Sequence, residues 1–132
     1  MSRHKGLLYC SEVKHLLQLE GHKVDGPFFV SKFFGGKSNA VHKDIFGVAD
    51  LISFLDGEII LHQVTVLNNK ADKIHEIQKE KIYPIWVWCR IKESNKVGYR
   101  VFHLHYIGAN FTIEEGNTRW KASGVGIVGE TS

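Results

Sequence analysis

The dipeptide Asp56-Gly57 constrains this chain more than any other feature, because it stands between two apolar, β-branched-rich runs, 47–54 and 59–66. Both central residues of a two-residue type I′ turn need positive φ, which Asp followed by Gly supplies, so the segment predicts a tight β-hairpin. If Leu55 and Glu58 close the turn, paired residue numbers sum to 113 and Asp50 lies opposite Gln63. Strand side chains return to the same face every second residue, so Thr65 joins Gln63 there. A loop longer by two residues sets Asp50 opposite Thr65 and keeps the trio together, whereas a one-residue slip sends Asp50 to the other face.

Polar groups inside apolar strands need a reason to be there. An amide buried alone costs roughly 2–7 kcal/mol and an isolated carboxylate more. Either Asp50 and Gln63 sit at strand ends and bond backbone or water, or they belong to a site, where local sequence rules most often fail.

The rest of the chain supplies a frame for the hairpin. Leu7, Leu8, Val13, Leu16, Leu17 and Leu19 recur at helical spacing and Gly21 follows as a stop, which predicts a helix over 6–20. Residues 23–30 read as a strand whose Pro27 marks an edge or a bulge. From 31 to 46 the composition turns to Lys, Gly, Ser, Asn and His, the mark of a long functional or disordered loop. Ala71, Ile74 and Ile77, with charged residues between them, predict a second helix over 69–81. Two strands follow at 83–91 and 99–107, joined by a polar turn. Trp86 and Trp88 alternate with Ile85 and Val87, as in a strand buried on both faces. Residues from Gly108 are weakly patterned, with 122–132 expected as a weakly ordered tail. The expected order is α-β-β-β-α-β-β: one α/β domain over 1–132, with a mixed central sheet flanked by helices.

An Asp at the head of one strand, a short hairpin, and a polar-x-polar triplet in the next strand resemble the PD-(D/E)XK nuclease superfamily. The triplet here is Gln63-Val64-Thr65. Gln in first place is similar to the Gln-x-Lys variant of Mrr-type nucleases; Thr in place of Lys is the larger departure. The stretch Lys43-Asp44-Ile45-Phe46-Gly47-Val48-Ala49-Asp50-Leu51-Ile52, followed by Gln-Val-Thr, Lys70 to Ile74 and Trp86-Val87-Trp88-Cys89-Arg90, looks like a group of small phage and bacterial proteins assigned to that superfamily. Size and element order, including a Glu in the first helix, also resemble archaeal-type Holliday-junction resolvases. The resemblance spans roughly 7–107, with specific motifs at 43–52 and 63–65.

The resemblance implies a restriction-endonuclease-like core and Mg²⁺- or Mn²⁺-dependent cleavage of DNA, structure-selective if the resolvase likeness holds. A hard cation prefers oxygen ligands, and Asp50, the Gln63 amide oxygen, the Val64 carbonyl and Glu12 are the implied set. Glu12 matches by position only and reads equally as a solvated helix carboxylate. Thr65 cannot carry the charge that the family Lys supplies, so Lys70 or Lys73 must replace it or activity is lost. The alternative is therefore a catalytically silent DNA-binding or interaction domain. Asp44 either approaches the same cation or caps the turn before Gly47. In the Gly-containing loop, Lys32, Lys37, His42 and Lys43 are candidates to hold phosphates, and Phe33 and Phe34 to stack on bases. Core packing or a dimer contact is the other reading of the two phenylalanines. Cutting two strands needs two active sites, hence an expected homodimer.

Composition narrows the remaining classes. Seventeen basic against fourteen acidic residues give +3, with basic clusters in the N-terminal third, a balance compatible with nucleic acid. No apolar run reaches membrane-spanning length and no secretory leader is recognisable, and two distant cysteines, Cys10 and Cys89, form no disulfide framework. A cytoplasmic protein is expected. No phosphate-binding glycine fingerprint calls for a nucleotide cofactor. His103-x-His105 with Cys89 is a weak zinc pattern without further ligands.

Overall fold

The computed structural model describes residues 3–121; the expected tail at 122–132 lies outside them. The chain runs α1 (Arg3–Leu19), β1 (Lys23–Asp25), β2 (Phe28–Phe34), β3 (Lys37–Lys43), β4 (Leu51–Leu55), β5 (Glu58–Val66), α2 (Lys70–Glu80), β6 (Ile85–Glu93), β7 (Lys96–Ile107), β8 (Asn110–Glu115) and β9 (Arg119–Trp120). It is a mixed α/β fold, rich in strands. The central sheet has the order β1-β4-β5-β6-β7-β8, with β9 also on β7. All its pairings are antiparallel except β5 with β6, which the α2 crossover makes parallel.

The hairpin forms in the first of the registers expected. Asp56 and Gly57 have φ of 50° and 84°, the pair of positive angles that a type I′ turn requires. Leu55 pairs Glu58 and Leu51 pairs His62. One more step sets Asp50 opposite Gln63, and the Asp50 N–H donates to the His62 carbonyl at 2.8 Å.

Each face of the sheet is closed by one helix. Cys10, Val13 and Leu17 of α1 bury against Leu51, Val64, Trp88, Tyr99 and Val101, their spacing of three and four being one stripe of a helix. Ile77 of α2 buries against Leu61, Ile85, Val87, Phe102 and Leu104. Gln63 and Thr65 alternate with Val64 and so share the α2 face with Leu61. Four of the five residues from Ile85 to Cys89 are buried, as expected of a strand covered on both sides.

The structure corrects three expectations. The single strand expected over 23–30 is two strands in different sheets: β1 pairs β4, whereas β2 pairs β3. The chain breaks at Gly26, whose φ is +107° and where a Cβ would lie 2.6 Å from the Asp50 carbonyl oxygen; a side chain there would displace the start of β4. The loop expected over 31–46 is mostly a seven-pair hairpin, an arm that pairs with neither neighbour of the central sheet. Its turn, Gly35-Gly36, has φ of 56° and 80°. Finally, the weakly patterned stretch after Gly108 supplies β8 and β9.

Candidate functional site

Strand β4 begins at Leu51, but β5 continues to Val66. Beyond the last paired rung, the Val64 N–H donates to Asp50 Oδ2 at 2.9 Å in place of a strand partner. The N–H and C=O of one strand residue leave on the same edge, so the Val64 carbonyl faces off the end of β4 as well. The Gln63 side-chain amide donates its N–H to the Val48 carbonyl, which leaves its oxygen as the remaining acceptor. Asp50, Gln63, Val64 and Thr65 all line one cavity of about 320 Å³, together with Cys10 from α1, His42 from β3, Asp44, and Asn69 and Lys73 at the start of α2.

The segment between arm and sheet brings the two aspartates together. Ile45 and Ala49 form an isolated antiparallel bridge around a tight turn, held by hydrogen bonds from Ile45 N–H to the Ala49 carbonyl (2.7 Å) and from Ala49 N–H to the Ile45 carbonyl (3.0 Å). Asp44 and Asp50 flank that bridge, as the next opposed pair. His42 Nε2 lies 3.5 Å from Asp50 Oδ1 and 3.8 Å from Asp44 Oδ1, and ligand atoms of all three residues lie within 4.8 Å of one another. The His42 Nε2 and Thr65 Oγ1 atoms are buried without a hydrogen-bond partner.

The cavity is electrostatically tense. Burial, and next the negative charge of Asp44, push the Asp50 carboxyl up to about 6, against the Val64 N–H, His42 and Lys73, which act to lower it. Burial raises the Cys10 thiol, and Asp50 and Asp44 raise it further, so it borders the cavity as a neutral group. A buried carboxyl pushed up in this way, beside unpartnered polar atoms in a cavity, marks Asp50 and its neighbours as a candidate functional site.

Other candidate residues are placed elsewhere. The Glu12 carboxylate, expected among the metal ligands, accepts hydrogen bonds from Tyr99 Oη, Arg90 Nε (3.2 Å) and Lys121 Nζ (2.8 Å), and does not line the cavity. Burial alone would raise it, but the bonds from Lys121, Tyr99 and Arg90 hold it below its ordinary value. Glu12 thus fastens α1 to β6 and β7. Lys70 is turned away: its Nζ lies 4.3 Å over the Phe102 ring. Lys73 is the lysine at the cavity. On the arm, Phe33, Lys37 and Lys43 are exposed and His42 faces the cavity; the side chains of Lys32 and Phe34 lie outside the described set. Phe29, opposite His42 across the arm, has its ring 5.8 Å away from the imidazole. The zinc pattern dissolves, because Cys89 packs on the α2 face while His103 stacks on Trp86, 4.1 Å away, on the α1 face.

Sequence reasoning missed His42 as part of the cavity wall, and Asn69 with it. The signal for His42 was Gly35-Gly36 between two runs of equal length, a hairpin that carries His42 back to the head of β4.

A second polar cluster, missed in the sequence, is fully satisfied. Trp88 Nε1–H donates to His62 Nδ1 (2.9 Å), so His62 donates from Nε2 to Ser53 Oγ (2.7 Å), whose hydroxyl donates to His22 Nδ1 (3.0 Å). Burial pushes His62 down to about 3, with His22 and His103 adding to the effect. The chain keeps His62 neutral and ties the hairpin to β6.

No protein-family model matches the chain, and no curated protein or solved structure is similar enough to it to count as a match. Among the described residues no helix is long and apolar enough to cross a membrane.

Proposed function

We propose that this chain is a metal-dependent endodeoxyribonuclease of PD-(D/E)XK type, in a Gln-x-Thr variant, acting on branched DNA. The observation that carries this reading is the convergence of Asp50, Gln63 and Thr65 with Asp44 and Lys73 on one cavity. The helix, antiparallel hairpin, crossover helix and parallel strand are compatible with a restriction-endonuclease-like core, which is the fold we assign.

The donor set fits a divalent cation: two carboxylates, an amide oxygen, a backbone carbonyl and two unpartnered polar atoms. When bound, Mg²⁺ or Mn²⁺ would neutralise the phosphate and make an attacking hydroxide available at neutral pH. Asp50, fixed by the Val64 N–H, leaves Oδ1 toward the cavity and holds the cation with Asp44. Thr65 Oγ1, free of other bonds, orients the attacking water. Lys73 stabilises the negative charge that develops as the phosphodiester P–O bond breaks, the role that the triplet lysine has in the family it resembles. Exposed Lys37 and Lys43 on the arm hold the DNA backbone and exposed Phe33 stacks on bases that a junction leaves unpaired. Cutting both strands of a junction requires two copies around a two-fold axis.

One observation favours the silent DNA-binding alternative: Lys73 lies 3.9 Å from Glu76, which competes for its charge. Incubation of wild type and Asp50→Asn with four-way and linear DNA and Mg²⁺ or Mn²⁺ separates the two. Cleavage by wild type alone is the expected result. Cleavage that survives the substitution refutes the site, and binding with no cleavage of any substrate establishes the silent module.

A further inference from the structure

We infer that His42, Asp44 and Asp50 together hold one first-row transition-metal cation, Mn²⁺ in preference to Mg²⁺, and that this ion latches the β2–β3 arm to the end of the central sheet. The assignment rests on the metal-dependent reading of the cavity and sharpens it in ligand set and cation class.

Geometry separates a ligand from a counter-ion here. An imidazolium paired with a carboxylate donates a hydrogen bond at about 2.7–2.9 Å, but His42 Nε2 stands 3.5 Å and 3.8 Å from its two carboxylates and bonds to neither. Atoms bound at about 2.0–2.2 Å to one ion in adjacent positions lie roughly 3–3.5 Å apart. Separations of 3.5 and 3.8 Å, all within 4.8 Å, therefore need only a small contraction to close on a cation. Thr65 gives independent support, since it is 1% exposed, lines the same cavity and leaves Oγ1 without a partner. A water carried by the ion would satisfy it.

The imidazole decides the class of cation. Mg²⁺ takes oxygen ligands and keeps its waters, whereas a nitrogen beside two carboxylates suits first-row transition metals. Position decides the consequence. His42 belongs to β3, Asp44 to the connecting segment and Asp50 to the head of β4, while the arm shares no strand pairing with the central sheet. One ion bound by all three is a cross-link that the backbone ladder does not provide.

The test titrates the metal-stripped full chain with Mn²⁺, read by loss of the free-ion electron paramagnetic resonance signal, with Mg²⁺ as competitor. Amide hydrogen exchange over 28–43 is followed alongside, and DNA cleavage is scored separately. Wild type is expected to bind one Mn²⁺ more tightly than Mg²⁺ and to slow exchange in the arm. His42→Ala is expected to weaken Mn²⁺ by at least ~10-fold, leave Mg²⁺ nearly unchanged and abolish the arm protection; Asp44→Asn, which keeps the volume, should weaken both ions. Unchanged Mn²⁺ affinity in His42→Ala, equal affinity of wild type for the two ions, no Mn²⁺ binding, or arm exchange indifferent to Mn²⁺ overturns the inference. Cleavage with any of these results leaves the nuclease reading standing, and the expected metal pattern without cleavage refutes that reading alone.

Discussion

Replacing Asp50 by Asn should make the metal-free protein more stable at neutral pH. Asn keeps the shape of the carboxyl and an oxygen to accept the Val64 N–H, but removes a charge that burial opposes. The carboxyl sits at about 6 in the fold against an ordinary 3.8. Between those values the folded chain holds a proton that the unfolded chain has released, so stability falls as pH rises through the window and stays lower above it. At about 1.36 kcal/mol for each tenfold change in acidity, the penalty above pH 6 is about 3 kcal/mol, a large part of the ~5–15 kcal/mol that holds a domain folded. Urea denaturation with a chelator should therefore place Asp50→Asn about 3 kcal/mol above wild type at pH 7.5, with the gap closing toward pH 4. His62 titrates in both proteins, so the difference isolates Asp50. Mn²⁺ at 100 times its Kd should raise wild type by about 2.7 kcal/mol and leave the variant where it was. A variant less stable than wild type at pH 7.5 without metal, or a gap of equal size at both pH values, would refute the reasoning.

Two further outcomes follow from where the cations and acids lie. Lys73→Met should lower cleavage of branched DNA by 100-fold or so, in the range of a lost charge-stabilising donor, whereas Lys70→Met should change it little; equal losses in a steady-state nuclease assay would remove Lys73 from the cavity's chemistry. Glu12→Gln should cost about 2 kcal/mol in urea denaturation, because it leaves Arg90 and Lys121 without their shared carboxylate, yet Mn²⁺ affinity should not move; a matching loss of metal would put Glu12 back among the ligands.

What could be read in advance was local. The Asp56-Gly57 turn carries its own geometry, and with it the register that opposes Asp50 to Gln63 and sets Thr65 on the same face. What could not be read depended on contacts across the sequence. Lys70 and Lys73 are three apart on one helix, and only the position of α2 over the sheet turns one toward Phe102 and the other toward Asp50. Glu12 has the residue type of a ligand, but its partners Arg90, Tyr99 and Lys121 come from strands and a segment 78 to 109 residues away. His42 looked like one more basic residue in a polar loop, because Lys, Ser and Asn are weak strand formers and tertiary pairing overrode them. The Ile45–Ala49 bridge that opposes the aspartates has no repeating pattern to announce it.

The early stop of β4 has a consequence for solubility. A strand that outruns its neighbour exposes backbone donors and acceptors, and such an overhang invites a strand of another molecule to dock. Here the overhang is plugged by the chain's own carboxylate, since Asp50 occupies the first donor an intruding strand would seek. Truncation of Asp50 to Ala would open that edge as well as remove a carboxylate from the cavity wall. Self-association of such a variant should be read as the loss of a guard on the sheet, separately from any loss of metal.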